Sequence, residues 1–167
     1  MAEPILQAAA QILDEQLDGM REALDGIPLD AIGWRPAGDD TNTIAVLAAH
    51  AMHSTRWWLS IAVGAPLPDR DRPSEFLGDV PEAEDLRASF ETLAAECRSL
   101  VGGAATFEPG AERTSTSPSR AERSEPPETV TAAWALLHAL EHLREHVAHA
   151  QLTRQLWEAR EPGTDGR

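Results

Sequence analysis

The chain has 167 residues, of which 42% are hydrophobic and 25% are charged, a length and composition typical of one globular domain with its own core. Aspartate and glutamate number 28, against 14 basic residues that are all arginine, so the formal net charge is −14. A nucleic-acid partner is not expected, because the sequence has no arginine-rich stripe that would contact phosphates.

Cysteine content and the length of apolar runs bear on the cellular compartment. Cys97 is the only cysteine, which excludes an internal disulfide and favours a reducing environment. The N-terminal segment is acidic where a secretory signal would be basic, and no apolar run approaches the roughly 20 residues that span a bilayer. We therefore expect a cytoplasmic protein without a membrane partner.

Helical periodicity predicts the first two elements. Apolar residues recur at helical spacing over residues 4–25, and Gly26 stands where this first helix is expected to end. After a connection that contains the segment GWRP, Thr41 or Asn42 is expected to cap a second helix that runs to about Val63. The two helices are thus joined by an irregular connection rather than by a tight turn.

A third helix is predicted in the middle of the chain. It follows a linker over residues 64–79 that is rich in proline and aspartate, begins near Pro81, and ends at Gly102 and Gly103. Cys97 lies on the apolar face of this helix, so we expect it to be a core residue and not a nucleophile.

The last third of the chain combines irregular segments with the longest helix. Residues 104–128 are polar and interrupted by prolines, so we predict a long surface loop there. Thr129 or Thr131 is then expected to open a fourth helix that extends to about Ala159. A disordered tail is predicted for residues 161–167.

These elements together predict the fold class. Four long helices, with no strand-like alternation of polar and apolar residues, are typical of an all-α four-helix bundle. We expect this bundle to form a single domain over residues 1–160. Metal and ligand sites in such bundles are built from side chains on facing helices.

The histidines are the most informative feature of the sequence, because all six lie in two of the four helices. At about 100° of rotation per residue, three of them border the apolar arc of their helix. An i,i+4 pair projects two imidazoles from consecutive turns, and a facing helix can supply a third ligand. We therefore predict that one divalent metal ion, zinc or alternatively nickel, is bound by His50, His142 and His146, with an open coordination position. The three outer histidines are expected to support the ligands or to face solvent: His53, His138 and His149.

Two segments resemble the DinB-like superfamily of four-helix bundles, also called YfiT-like proteins. The segment TIAVLAAHAMHSTRWWL at residues 43–59 resembles the family's second helix, and HALEHLREHVAHAQLTRQL at residues 138–156 resembles its fourth. The resemblance implies a bundle fold and the same three histidine ligands. The Gly-Gln-like pair that relatives often carry after the last ligand is replaced here by Ala148 and His149.

The resemblance also implies two classes of function. In the first, the metal activates a low-molecular-weight thiol, of the mycothiol or bacillithiol type, for attack on a small-molecule electrophile, as in the family's thiol-dependent transferases and isomerases. Activation of water for hydrolysis is a close variant. In the second, the chain is a non-enzymatic metal-binding or stress-associated bundle protein. A homodimer formed through a helix face is compatible with either class.

Other side chains are candidates for supporting roles, and no catalytic residue is assigned. A carboxylate beside a ligand imidazole often fixes its orientation, and two glutamates of the fourth helix are candidates for this role: Glu141 and Glu145. Four arginines are candidates for holding a substrate carboxylate: Arg35, Arg56, Arg144 and Arg154.

Overall fold

The computed structural model describes residues 3–77, 81–115 and 121–160, and most of these residues are helical. This confirms the predicted all-α class, and the described residues also form one small two-stranded sheet. None of the described helices is both long and apolar enough to cross a bilayer. The four long helices are α1 (Pro4–Leu24), α3 (Ile44–Val63), α5 (Ala83–Gly103) and α6 (Ala132–Ala159). The shorter elements are α2 (Leu29–Ile32), a 3₁₀ turn (Gly38–Asp40), α4 (Ser74–Leu77), β1 (Glu112–Ser115) and β2 (Glu128–Thr131).

The ends of α1 follow the sequence signals closely. The Glu3 carboxylate accepts hydrogen bonds from the backbone amides of Ile5 and Leu6, at 3.0 and 3.1 Å. These bonds satisfy donors that have no partner within the helix. Two residues after the last helical residue, Gly26 has a φ of +60°, a conformation that glycine adopts without a steric penalty.

The predicted start of the second long helix was wrong by one or two residues. Thr43, and not Thr41 or Asn42, caps α3, because its hydroxyl accepts a hydrogen bond from the backbone amide of Val46 at 3.1 Å. The hydroxyl of Thr41 instead accepts a bond from the Ala37 amide within the preceding turn. Thr41, Asn42 and Thr43 are all residue types that can cap a helix, so the tertiary path of the chain determines which of them does so.

The start of α5 also differs from the prediction. This helix begins at Ala83, after Glu82, whose side chain makes no capping hydrogen bond, so Pro81 precedes the helix. Two acidic residues, Glu84 and Asp85, occupy the first turn, where a negative charge interacts favourably with the helix dipole.

A β-hairpin replaces part of the predicted irregular loop. Its first strand, β1, lies within residues 104–128, whereas β2 begins at the last of these residues and continues into the predicted start of the fourth helix, so that part of the prediction was wrong. β1 and β2 pair antiparallel, with Thr114 opposite Thr129, and the two threonine hydroxyls lie 3.2 Å apart. β-Branched residues suit strands, although each strand has only four residues. From β1, Arg113 donates a hydrogen bond to the carbonyl oxygen of Ile61 at 3.1 Å, near the end of α3.

β2 leads directly into α6. Of the two caps considered, Thr131 has this role, because its hydroxyl accepts a hydrogen bond from the Trp134 amide at 3.2 Å, whereas Thr129 lies within the strand. The tail predicted for residues 161–167 lies outside the described part of the chain.

Each long helix packs against two others, so that α3 contacts α5 and α6, and α1 contacts the same two helices. The most extensive of these interfaces joins α3 and α6. Cys97 is 0% exposed, which confirms it as a core residue. The other side chains that fill the core include Leu13, Leu17, Met20, Leu24, Ile44, Met52, Leu59, Leu136, Leu143 and Val147.

A close contact fixes α6 against α1. A Cβ atom at Gly19 would lie 3.0 Å from a methyl group of Val147, so the glycine allows the two helices to approach. The Gln151 amide donates to the Gly19 carbonyl oxygen at 3.3 Å. One turn further, Arg154 donates to three carbonyl oxygens at the end of α1. These contacts hold the middle and the end of α6 in a defined position.

Candidate metal centre

Three histidines meet at the interface between α3 and α6. One ring nitrogen from each of His50, His142 and His146 lies within 4.8 Å of the other two. The His50 ring centroid is 5.2 Å from that of His142 and 5.0 Å from that of His146. Within the described residues, no other group of three histidine, cysteine or acidic side chains is arranged to hold a metal. The structure thus brings together the three residues that the sequence singles out.

Helix geometry explains how two of the rings face each other. His142 and His146 are four residues apart in α6 and therefore lie on consecutive turns of one face. Their Nε2 atoms are 3.3 Å apart. At this distance one neutral ring can donate a hydrogen bond to the other, or both lone pairs can point toward one shared cation. The donor set, three imidazole nitrogens, suits zinc, nickel and related transition metals.

The surroundings of this pair keep its rings neutral. Burial, followed by the neighbouring imidazoles, lowers the pKa of His142 to about 3. Burial together with His50 and His149 lowers the pKa of His146 to about 4. Both rings are therefore neutral at pH 7, the form in which an imidazole nitrogen binds a metal.

The outer nitrogens of the three rings have different partners. The Nδ1 atoms of His142 and His146 are buried and have no hydrogen-bond partner within residues 3–77, 81–115 and 121–160. His50 Nδ1, in contrast, lies 2.8 Å from a carboxylate oxygen of Glu75. In the described part of the chain, one of the three candidate ligands, His50, is therefore fixed from outside by a side chain.

The contact from Glu75 was missed in the sequence, where Glu141 or Glu145 was expected to orient a ligand. Glu141 instead lies 3.5 Å from His138, with 78% of its side chain exposed, and Glu145 is exposed. Glu75 belongs to α4, within the linker that follows α3. No periodicity marks this residue, because the irregular path of the linker brings it to His50.

Glu75 is also paired with an arginine. Arg70 donates two hydrogen bonds to its carboxylate, at 2.7 and 2.9 Å, and the two side chains are only 4% and 3% exposed. Burial opposes ionisation of Glu75, but the hydrogen bonds from Arg70 and His50 outweigh it and hold the pKa of this carboxyl below its usual value. The carboxylate is thus negatively charged at neutral pH.

The remaining histidines differ in their surroundings. His138 stacks on Trp134, with ring centroids 4.7 Å apart, and meets the edge of Trp58 at 4.8 Å. His149 is exposed on α6. His53 is half-buried, and burial lowers its pKa.

Two clefts lie beside the histidine group. One, of about 330 Å³, has a mainly apolar wall that includes Leu47, His149 and Leu152. Because Leu47 lies three residues before His50 and His149 three residues after His146, this cleft is about one helical turn from the group. The other cleft, of about 360 Å³, is lined by His53, Glu75 and Phe76 among others. Either is large enough for part of a small molecule.

Most of the arginines considered for substrate binding already contact the protein. Arg35 donates to a backbone carbonyl oxygen just before α3, Arg56 lies 3.0 Å from Glu96, and Arg154 contacts the end of α1. Arg144 is exposed on α6. The geometry thus gives little support to a carboxylate-binding role for the first three.

Comparison with known proteins agrees with this geometry. Residues 12–150 match the sequence model of the DinB superfamily, which covers most of the chain and both helices that carry the histidines. A search of curated proteins finds no match to the chain. The family match supports a metal-binding bundle and specifies no reaction.

Proposed function

The chain belongs to the DinB superfamily, and on this premise we propose that it is a metal-dependent enzyme whose ligands are His50, His142 and His146. The observation that carries the proposal is the convergence of three ring nitrogens within 4.8 Å at one helix interface. Two of these rings are kept neutral by burial. Zinc is the proposed metal, and nickel is the alternative.

The proposed chemistry is activation of a nucleophile. His50, His142 and His146 would hold a divalent ion, which would act as a Lewis acid and lower the pKa of a thiol or a water molecule. Three protein ligands leave a coordination position open, which is the arrangement of catalytic rather than structural zinc sites. The protein contributes neutral ligands, a largely buried setting and adjacent clefts for a small-molecule substrate.

A thiol used in this reaction would have to come from solution. Cys97 is 0% exposed, and burial raises the pKa of its thiol to about 12. A cysteine with these properties is inert as a nucleophile. We therefore propose a low-molecular-weight thiol, of the mycothiol or bacillithiol type, as co-substrate for transfer to an electrophile, with hydrolysis as the reaction if water is activated instead.

Metal analysis of the purified protein tests the site. We expect about one zinc or nickel ion per chain in the wild type and in His149→Ala, whose side chain is exposed, and none in His142→Ala. Elemental analysis after gel filtration gives the stoichiometry. A wild type without stoichiometric metal, or a His142→Ala variant that retains all of it, would contradict the proposal.

A conjugation assay tests the reaction. The metal-loaded protein is mixed with a generic electrophile and, in turn, with several low-molecular-weight thiols, and loss of free thiol is measured. We expect turnover with at least one thiol that is absent in His142→Ala. Metal binding without turnover with any thiol would favour hydrolysis or the non-enzymatic metal-binding protein.

A further inference from the structure

We propose that Glu75 is a positioning residue for the metal centre: held in place by Arg70, it fixes His50 in the tautomer and orientation that bind the metal. This inference rests on the proposed function and extends it to the linker between α3 and α5. It assigns a role to two buried charged residues that the ligand set alone leaves unexplained.

The contact with Glu75 determines which nitrogen of His50 carries the proton. Its Nδ1 atom lies 2.8 Å from a carboxylate oxygen of Glu75, and an ionised carboxylate can only accept hydrogen bonds. A lone pair on Nδ1 would therefore face negative charge at hydrogen-bond distance. The contact is favourable only when Nδ1 carries a hydrogen and donates it, which leaves the lone pair of the neutral ring on Nε2.

Arg70 is a second possible hydrogen-bond donor near His50 Nδ1. An Arg70 nitrogen also lies 3.5 Å from His50 Nδ1, and a guanidinium can donate but not accept. At this distance it makes at most a weak bond, whereas the same guanidinium makes two bonds of 2.7 and 2.9 Å to Glu75. Arg70 thus donates its strong hydrogen bonds to the Glu75 carboxylate, and this carboxylate is the acceptor for His50 Nδ1.

The Arg70–Glu75 pair is held rigidly beside His50. The Arg70 and Glu75 side chains are 4% and 3% exposed, so water has little access to replace either partner. A two-bond contact between a guanidinium and a carboxylate also restricts the orientation of both groups. The Phe76 ring, next in the chain, lies 4.8 Å from the His50 ring. The linker therefore holds His50 from its outer side, both through hydrogen bonds and through packing.

The contrast with the other two candidate ligands sets the expected size of the effect. Among the residues that the structure describes, His142 and His146 have no partner at Nδ1, and Glu75 is the one side chain that hydrogen-bonds the outer nitrogen of a candidate ligand. Removal of such a partner typically weakens metal binding by about 10- to 100-fold without removing a ligand. The role predicts weaker affinity at unchanged stoichiometry.

Zinc affinity tests this role. We would titrate metal-free full-length protein with zinc in competition with a chromophoric chelator, and compare the wild type with Glu75→Gln and with the matched control Glu141→Gln. We expect a Kd about 10- to 100-fold weaker for Glu75→Gln and an unchanged Kd for the exposed control. Arg70→Lys, which keeps the charge but loses the two-bond geometry, should fall between them.

The tautomer of His50 provides a second readout that requires neither metal nor substitution. In metal-free wild type, nitrogen NMR of the imidazoles should show His50 protonated at Nδ1. Because this measurement uses no variant, its result does not depend on whether a substitution lowers stability. His50 protonated at Nε2 instead would overturn the inference even if Glu75→Gln failed to fold.

The affinity outcomes separate the two proposals. If wild-type protein binds zinc and Glu75→Gln binds it equally tightly, the positioning role is wrong and the proposed function stands. If the wild type binds neither zinc nor nickel, the proposed function fails and the positioning role fails with it. Weaker binding by Glu75→Gln, with the thermal midpoint of the metal-free variant unchanged, supports the role.

Discussion

The two sides of the bundle are built differently. Between α1 and α5, buried apolar side chains such as Leu17 and Phe90 fill the core, and charged residues pair at the surface, as Arg21 does with Glu91. Between α3 and α6, the interface instead encloses three imidazoles. A buried ion pair from the linker lies against one of them.

This difference indicates where stability and function reside. On the α1–α5 side the charged groups pair at the surface, whereas on the α3–α6 side the Nδ1 atoms of His142 and His146 are buried and have no hydrogen-bond partner among the described residues. A buried polar group without a hydrogen bond reduces stability. Such local departures from good packing are expected at functional sites.

The largest expected change in the free energy of unfolding comes from the apolar core of the α1–α5 side. Leu17 is 0% exposed, so Leu17→Ala should lower the free energy of unfolding by about 3 to 4 kcal/mol through lost burial and a cavity. Urea denaturation followed by circular dichroism measures this. The folded variant should still bind metal with wild-type stoichiometry. Loss of metal from folded Leu17→Ala would show that metal binding between α3 and α6 depends on packing on the α1–α5 side.

A loss of similar size is expected on the histidine side when the pH falls. The pKa values of His142 and His146 in the folded protein, about 3 and about 4, lie below the roughly 6.5 of an unfolded chain. Below pH 6.5 the unfolded chain therefore binds more protons, and the stability of metal-free protein should fall as the pH drops toward 4. We expect a loss on the order of 3 kcal/mol, reduced from the full value because solvent partly screens both rings.

Substitution isolates this contribution from that of the other titrating groups. Denaturation at several pH values should show a much smaller loss for His142→Gln than for the wild type. The exposed control His149→Gln should show nearly the wild-type loss, because burial and not His149 is the main cause of the lowered pKa of His146. Equal pH dependence in all three proteins would mean that the buried pair does not control acid stability.

Metal should stabilise the protein by a slightly smaller amount. Zinc at about 100 times its Kd should add about 2.7 kcal/mol to the free energy of unfolding, because binding requires the folded arrangement of three helical histidines. Differential scanning calorimetry with and without zinc measures the shift. His146→Ala should show no such shift, and an equal shift in that variant would place the metal elsewhere.

The smallest effect is expected at the surface of the α1–α5 side. Arg21 contacts Glu91 through two hydrogen bonds of 2.6 and 2.9 Å, but both side chains are substantially exposed. A double-mutant cycle with alanine should give a coupling energy of about 0.2 to 1 kcal/mol that decreases with added salt. A coupling above about 2 kcal/mol would show that this side also depends on charge.

Periodic features of the molecule were predictable from the sequence. The long helices follow from apolar spacing, and the three central histidines follow from their position beside the apolar arc, because a helix converts spacing directly into direction. The cap of α6 was predicted as one of two threonines, and Thr131 has this role, whereas the predicted caps of α3, Thr41 or Asn42, lie one or two residues before the actual cap, Thr43.

Features that depend on tertiary contacts were not predictable. Glu75 reaches His50 from 25 residues away through an irregular linker, and no local pattern encodes that approach. The strands β1 and β2 have four residues each, too few for a clear alternation of polar and apolar residues. Their pairing depends on where the chain returns to begin α6.

The junction between β2 and α6 determines the rotational phase of the metal-binding helix. The amides of Ala132 and Ala133 donate to the carbonyl oxygens of Ala111 and Pro109, at 2.8 and 2.9 Å, so the first turn of α6 is fixed by the chain that enters the hairpin. From this fixed point the helix turns about 100° per residue. One residue inserted between the junction and His142 would rotate both α6 histidines toward a different neighbour, so the length of this segment is constrained by the metal centre.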